Sequence, residues 1–274
     1  MAIITVSRGT FSGGLMLAKK LAEDLAYRCI GREEIVEQAA KKYGVSEDKL
    51  VKAILKGPSA FQRFTYEREQ YLAYVQAMLC ENAKADNMVY HGNAGHFLLK
   101  GVSHVLRVRI VAPMEVRVKF VMELRQMSHD EAVKRIERID KERVKWTKFL
   151  YGVDWRSPEL YDIVFNMETE NIRFISSMIE FAIQQEPFKT TPESQKAMED
   201  LALGSLVKAA IASNPRTKDV VVSVRADAGI VTISGKVKTQ EDVDLIEQMA
   251  LSAPGVKQVK NEVALNYRYQ HIDT

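Results

Sequence analysis

Residues 2–25 read AIITVSRGTFSGGLMLAKKLAEDL, and this stretch decides the fold. Ala2–Val6 is apolar and rich in β-branched side chains, which predicts a strand. Ser7-Arg8-Gly9 ends it, the pair Gly13-Gly14 follows, and from Leu15 the apolar residues Leu17, Ala18, Leu21, Ala22 and Leu25 recur at helical spacing. The order is strand, glycine-bearing loop, helix. At such a junction free backbone N–H groups and the positive end of a helix dipole converge, so it attracts anions. The usual phosphate-loop formula is Gly, four residues, Gly, Lys and Ser/Thr. Gly9 and Gly14 have that separation, but Leu15 and Met16 occupy the two key positions. Counting from Arg8 to Gly13 instead puts Gly14 where the lysine belongs. Neither register supplies a lysine for a transferred phosphate or an adjacent hydroxyl for Mg²⁺. A glycine-rich turn with no ligand is the rival reading.

Outward from this junction, short apolar segments alternate with helical patterns. Strands are expected at Arg28–Ile30, Met88–Tyr90, Val105–Val111 and Asp162–Asn166. Helices are expected to about Tyr43, onward to Asp86 with a break near Gly57-Pro58, over Met114–Leu150 with an interruption near Met127–Asp130, and over Ile172–Gln185. Alternation of this kind implies an α/β parallel sheet with helices on both faces. The character changes at Thr190-Thr191-Pro192-Glu193-Ser194, a polar, proline-bearing connector. Beyond it a helix at Leu201–Ala212, strands at Val220–Ala226 and Ile230–Val237, a helix at Gln240–Ser252 and a strand at Val256–Leu265 form a small α+β unit of order αββαβ. Asp227-Ala228-Gly229 is its hairpin turn. The domains expected are 1–189, a linker 190–200, and 201–267.

The totals constrain function less. The 274 residues suit two domains, and 46% hydrophobic with 27% charged residues is ordinary for a globular chain. A net charge of +3 gives no sign of a nucleic-acid binder. Two cysteines, Cys29 and Cys80, build no disulfide framework. The N-terminus has no signal-peptide pattern and no apolar run approaches about 18 residues, so a cytoplasmic protein without a membrane span is expected.

The start ITVSRGTFSGGLMLAKKLAEDL resembles the cytidylate kinase-like branch of the P-loop kinases, whose members begin with a strand and a Ser-Arg…Ser-Gly-Gly loop. The similarity continues in CIGREEIVEQAAKKYGVS, VYHGNAGHFLL, RVRIVAPMEVRVK, RIERIDKERVKW and LYDIVFNME, in the right order over about residues 1–190. It implies a nucleoside-monophosphate-kinase-like sheet, a phosphate site at the strand ends, ATP and Mg²⁺, and a basic lid. The chain departs from the family at Gly92-Asn93, where members show Gly-Arg, and at Leu15, where relatives carry a polar or basic residue. Residues 201–265, with Pro254-Gly255-Val256 leading into the last strand, resemble a BON domain, a module associated with ligands or membrane surfaces. The ligand or partner of this part is not specified by its residues.

Candidate residues follow from this placement. Arg8 lies in the loop and could supply the charge that no lysine provides; a surface arginine is the alternative. Ser7, Gly9, Thr10, Ser12, Gly13 and Gly14 are the candidate phosphate-binding residues, the last two because close backbone approach to an anion requires the absence of Cβ. Arg32 and Glu34 follow the second strand, where an acceptor would rest. His91 and Asn93 stand at the sheet's carboxyl edge, where ligands bind in open α/β folds. His91 and His96 lack a third ligand, so no metal site is expected. In the basic stretch Lys134–Lys148, the resemblance gives Arg135, Arg138 and Arg143 the work of stabilising a transferring phosphoryl group, with Asp140 orienting them. A solvated helix laced with pairs such as Arg138–Glu142 and Glu137–Lys141 is the alternative. Trp146 and Trp155 read as packing anchors, and Val220, Val222 and Val224 as a core face.

Three functions remain open at this point. One is phosphoryl transfer from ATP to a nucleoside monophosphate or related small acceptor. The second is a catalytically inactive nucleotide sensor coupled to the BON-like part. The third is a structural protein with no nucleotide affinity.

Overall fold

A computed structural model describes residues 2–55, 66–92, 94–169 and 171–266. The break expected near Gly57-Pro58 and the candidate Asn93 lie outside the described residues. The chain divides into two compact units, one of residues 1–37, 54–63 and 85–194, the other of 38–53, 64–84 and 195–274.

The first unit is built on five parallel strands, β1 (Ile3–Arg8), β2 (Arg28–Gly31), β3 (Met88–His91), β4 (Val105–Val111) and β5 (Ile163–Asn166), in the order β2-β3-β1-β4-β5. Central β1 is buried from Ile3 to Ser7, as a strand covered on both faces must be. On one face Ile4, Val6, Leu106, Val108 and Ile110 pack against Leu17, Ala18 and Leu21 of helix α1 (Gly14–Leu25) and against Ile175 and Ile179 of α8 (Ile172–Ala182). Helices α6 (Met114–Arg125) and α7 (His129–Tyr151) close a second cluster, Val118, Val121, Ala132 and Ile136, with Phe11 of the glycine loop packed against it. The interruption between them is a capping box: Ser128 N–H donates to Glu131 Oε2 at 2.9 Å while the Ser128 hydroxyl caps the Glu131 N–H.

β1 leads through α1 to β2 on one side of the sheet, and β4 leads to β5 on the other. The carboxyl ends of β1 and β4 therefore border a topological switch point, where open α/β sheets hold ligands. In register, Ser7 lies beside Arg109 and Arg8 beside Ile110 on β4, while Val6 lies beside His91 on β3. The short α5 (Gly95–Leu98) follows β3.

The second unit contains α3 (Glu47–Leu55, to its Ala53), α4 (Tyr66–Ala83), the end of α2 (Arg32–Tyr43) and the chain from Gln195. A three-stranded sheet of β6 (Val222–Asp227), β7 (Ile230–Val237) and β8 (Gln258–Leu265) is antiparallel at β6–β7 and parallel at β7–β8. Ala228 and Gly229 both have positive φ, 50° and 92°, as a two-residue hairpin turn requires. Helices α9 (Pro192–Ser213) and α10 (Gln240–Leu251) bury Val207, Ile211, Ile246 and Ala250 against Val222, Val231 and Ile233. Val222 is buried while Val220 and Val224 are partly buried against the same core. Within the segment 190–200 the chain is helical from Pro192 onward. Thr191 Oγ1 accepts the Ser194 N–H at 3.2 Å, and a proline at the first helical position starts a helix rather than breaking one.

Candidate functional site

The loop Gly9–Gly13 is fixed by its own bonds and by β4. Gly9 N–H donates to the Ile110 carbonyl at 3.2 Å, and the buried Ser12 hydroxyl donates to the Gly9 carbonyl at 2.9 Å. Phe11 and Gly13 have positive φ, 60° and 82°. For Phe11 this left-handed conformation is uncommon, and its ring is retained at 6.5 Å from that of Phe120. At Gly14 an added Cβ would lie 2.7 Å from both Cβ and Cδ of Arg8, so the arginine runs across the start of α1 through space that only glycine leaves.

α7 is fastened to this loop. Thr10 Oγ1 donates to Asp140 Oδ1 at 3.0 Å, and Arg117 bridges the Thr10 carbonyl at 2.8 Å and Asp140 Oδ2 at 2.6 Å. Arg143 donates to the Arg8 carbonyl. Asp140 thus serves Thr10 and Arg117, a residue on α6 that sequence reasoning did not single out.

Charge gathers beside the loop. Burial lowers the pKa of Arg8, Glu33 offsets this, and Arg32 lowers it further. Arg143 is pushed down to about 10 by burial, with Asp140 opposing and Arg32 and Arg8 adding to the fall. His91 is lowered by burial and then by Arg8, and is neutral at pH 7. Glu33 is held low although burial opposes it, because Arg32, a backbone N–H and Arg8 stabilise its carboxylate. Three guanidinium groups, Arg8, Arg32 and Arg143, therefore share one region with a single paired glutamate and Asp140 as counter-charge. Among the described residues no hydrogen bond or ion pair engages the Arg8 guanidinium. Arg32 Nε, Arg143 Nε and His91 Nδ1 are buried without hydrogen-bond partners.

The structure brings Ser7, Arg8, Gly9, Thr10, Ser12, Gly13, Gly14, Arg32, His91 and Arg143 to the carboxyl end of the sheet. It places the others differently. Glu34 acts on the Cys29 thiol and Glu33 is the acid beside Arg8 and Arg32. Arg138 is exposed on α7, and Arg135 is partly buried; neither is among the charges acting on Arg8 or Arg143. Within α7, Lys145 pairs with Glu142 at 3.0 Å. All three loop hydroxyls are engaged, Ser7 with Tyr161 at 3.2 Å, Thr10 with Asp140, and Ser12 with Gly9. Trp146 and Trp155 are buried, as packing anchors are. Trp155 also carries two guanidiniums, with Cζ of Arg143 and of Arg109 at 4.7 and 4.9 Å from its ring. His96 is buried against Phe97 and Tyr161, and burial, with Arg107 and Arg109, pushes it down to about 3.

A phosphate group fits this region: unpaired guanidinium, backbone amides at a glycine turn and buried donors without partners are what an oxyanion satisfies. An all-protein cage for Mg²⁺ is absent among the described residues, although Mg²⁺ that travels with nucleotide phosphates needs none. The loop hydroxyls are engaged, Glu33 and Asp140 are paired with arginines, and among the described residues no three His, Cys, Asp or Glu could hold a metal.

Residues 3–169 match the model of the cytidylate kinase-like family, and residues 199–267 match that of the BON domain. The chain belongs to the cytidylate kinase-like family. It is 30% identical over 168 residues to a cytidylate kinase of Ignicoccus hospitalis, spanning 61% of this chain and 90% of that protein. With a cytidylate kinase of Pyrococcus horikoshii it shares 26% over 181 residues, 66% of this chain and 88% of the other. The crystal structure of an uncharacterized protein from Eubacterium ventriosum superposes with a TM-score of 0.53 at 20% identity, over 67% of this chain and 98% of that one. That likeness concerns fold alone. The C-terminal BON domain adds a module outside the matched kinase-like region. Among the described residues no helix is long and apolar enough to cross a membrane.

Proposed function

We propose that this cytidylate kinase-like chain binds ATP with its phosphates on the loop Arg8–Gly14 and an acceptor, a nucleoside monophosphate or related small phosphate-bearing molecule, beside Arg32 and His91. The observation that carries the reading is the Arg8 guanidinium. The aliphatic stem of Arg8 runs across Gly14 at the mouth of the loop, and its guanidinium, flanked by Arg32 and Arg143, has no hydrogen bond or ion pair among the described residues. Guanidinium matches phosphate in planar, two-pronged hydrogen bonds, so Arg8 can hold the charge a loop lysine would hold elsewhere. In phosphoryl transfer charge spreads over the equatorial oxygens, and Arg8 and Arg143 would stabilise it from two sides. Loop amides would orient the donor, and neutral His91 would form a polar wall. The family's Mg²⁺ would bring Lewis-acid charge neutralisation with the nucleotide, but no residue here is assigned to hold it. We further propose the division 1–189, 190–200 and 201–267 as the extent of the kinase-like domain, its linker and the BON domain.

A second reading is favoured by a specific observation: no lysine follows Gly14, and the hydroxyls of Ser7, Thr10 and Ser12 are all engaged within the fold. On that reading the chain binds nucleotide without turnover. Calorimetric titration with ATP and with CMP, followed by a coupled assay of ADP release, separates the two. Binding is expected in both. ADP release that depends on the acceptor supports transfer, release at background over several acceptors supports the sensor, and no binding rejects both.

A further inference from the structure

Arg143 is desolvated without a carboxylate of its own. Asp140, the acid whose charge acts on it, gives one oxygen to Thr10 and the other to Arg117. Arg143 Nη1 donates to the Arg8 carbonyl, and its Nε is buried without a partner. What faces the guanidinium is the ring of Trp155, 4.7 Å from Cζ. An aromatic face attracts a cation electrostatically, and more strongly where water is excluded. Trp155 is itself held in place. Its backbone N–H donates to Thr147 Oγ1 at 3.3 Å, one turn along α7 from Arg143, and its carbonyl accepts the Tyr161 hydroxyl at 2.7 Å. Arg109 lies 4.9 Å from the same ring. The Tyr161 oxygen is also 3.2 Å from Ser7 Oγ. These contacts close on themselves, from Ser7 to Tyr161, Trp155, Arg143 and the Arg8 carbonyl. Both ends of the circuit are the last two residues of β1, where the phosphate loop begins.

We infer that Trp155 is a positioning residue of the phosphate site: its ring holds the Arg143 guanidinium against the Arg8 carbonyl, aiming the cation at bound phosphate from the α7 side. This rests on the nucleotide-binding reading above. The planar guanidinium is required, because an ammonium at this position could not both stack on the indole and reach the carbonyl.

The test uses the full chain. Only Trp146 and Trp155 are tryptophans, so Trp146→Phe leaves Trp155 as the sole emitter. In that background, and without nucleotide, Arg143→Met is expected to shift Trp155 emission to longer wavelength as the ring loses its cover. Trp155→Leu is expected to weaken ATP binding about tenfold, with Trp155→Phe between it and the native chain. Trp155→Leu combined with Arg143→Met should bind no more weakly than Arg143→Met alone, since the two act through one group. If Trp155→Leu does not fold, Trp155→Phe with Arg143→Met gives the same cycle. Additive losses, or an emission indifferent to Arg143, overturn the inference. If the native chain binds no ATP, the underlying functional reading fails instead, and the emission still decides whether Trp155 holds Arg143.

Discussion

Gly14 and Arg8 illustrate how much of the loop is decided by single atoms. A Cβ at position 14 would sit 2.7 Å from Arg8 Cβ and Cδ, so Gly14→Ala should displace the arginine. We expect calorimetry to show ATP binding weakened about tenfold together with a lower thermal midpoint, because the approach to Arg8 Cβ cannot be relieved by rotating the side chain and outweighs alanine's helix preference of up to about 1 kcal/mol. Gly13→Ala differs: at a φ of 82° the new side chain should cost about 1–2 kcal/mol in urea unfolding. His96 gives a prediction in pH. Its folded pKa, about 3, lies below the unfolded value, so the unfolded chain binds the extra proton in the window between. Its contribution is complete above about 6.5 and is lost as pH falls toward 3, at up to about 1.4 kcal/mol per pH unit. Urea denaturation between pH 6.5 and 5 should show a smaller slope for His96→Gln than for the native chain; equal slopes would refute the assignment. At this scale the sequence is only partly legible. Arg8, Gly13 and Gly14 follow from a strand–loop–helix pattern, which is local. The choice of Glu33 over Glu34 beside Arg8, and the burial of Arg117, depend on how distant segments pack, and no spacing rule carries that.

Elements carry the loop's rigidity. α7 is legible as a charged helix with a break before it, since Ser128 and Glu131 form a capping box in plain sequence order. Its attachment is not. The basic residues suggest a lid, whereas α7 contributes Asp140 and Arg143 to bonds with Thr10 and Arg8. Asp140→Asn tests that attachment. The Arg117 and Asp140 side chains are 11% and 22% exposed, so loss of the carboxylate leaves a largely buried guanidinium with a neutral partner. We expect about 2–3 kcal/mol of destabilisation in urea, below the range for stripping a fully buried pair of one partner. A change near zero would mean that the pair behaves like an exposed one and that α7 is not anchored through it.

The whole molecule is divided differently by ancestry and by packing. Family matches stop at residue 169 and resume at 199, yet α3 up to Ala53 and α4 belong to the same compact unit as the chain from Gln195. The cause lies in α9, which is apolar on two opposite sides. Val207 and Ile211 face the BON sheet, while Ser205 and Ala212 meet α4, through Ser205 Oγ to Cys80 Sγ at 3.7 Å and Tyr74 hydroxyl to the Ala212 carbonyl at 3.2 Å. Tyr74 is also stacked on Tyr43, with ring centroids 4.1 Å apart. A polar opening, Thr190–Ser194, conceals this continuity in the sequence, because its proline reads equally as a linker or as a helix start. The consequence is testable. A chain ending at Lys189 keeps every strand of the five-stranded sheet but removes the surface that covers Cys80 and the acceptor for the Tyr74 hydroxyl. Uncovering that apolar face removes several kcal/mol, so the truncated chain should melt on the order of 10 °C below the full chain in circular dichroism. An unchanged midpoint would show instead that α4 is stable on the kinase-like domain alone and that α9 merely rests on it.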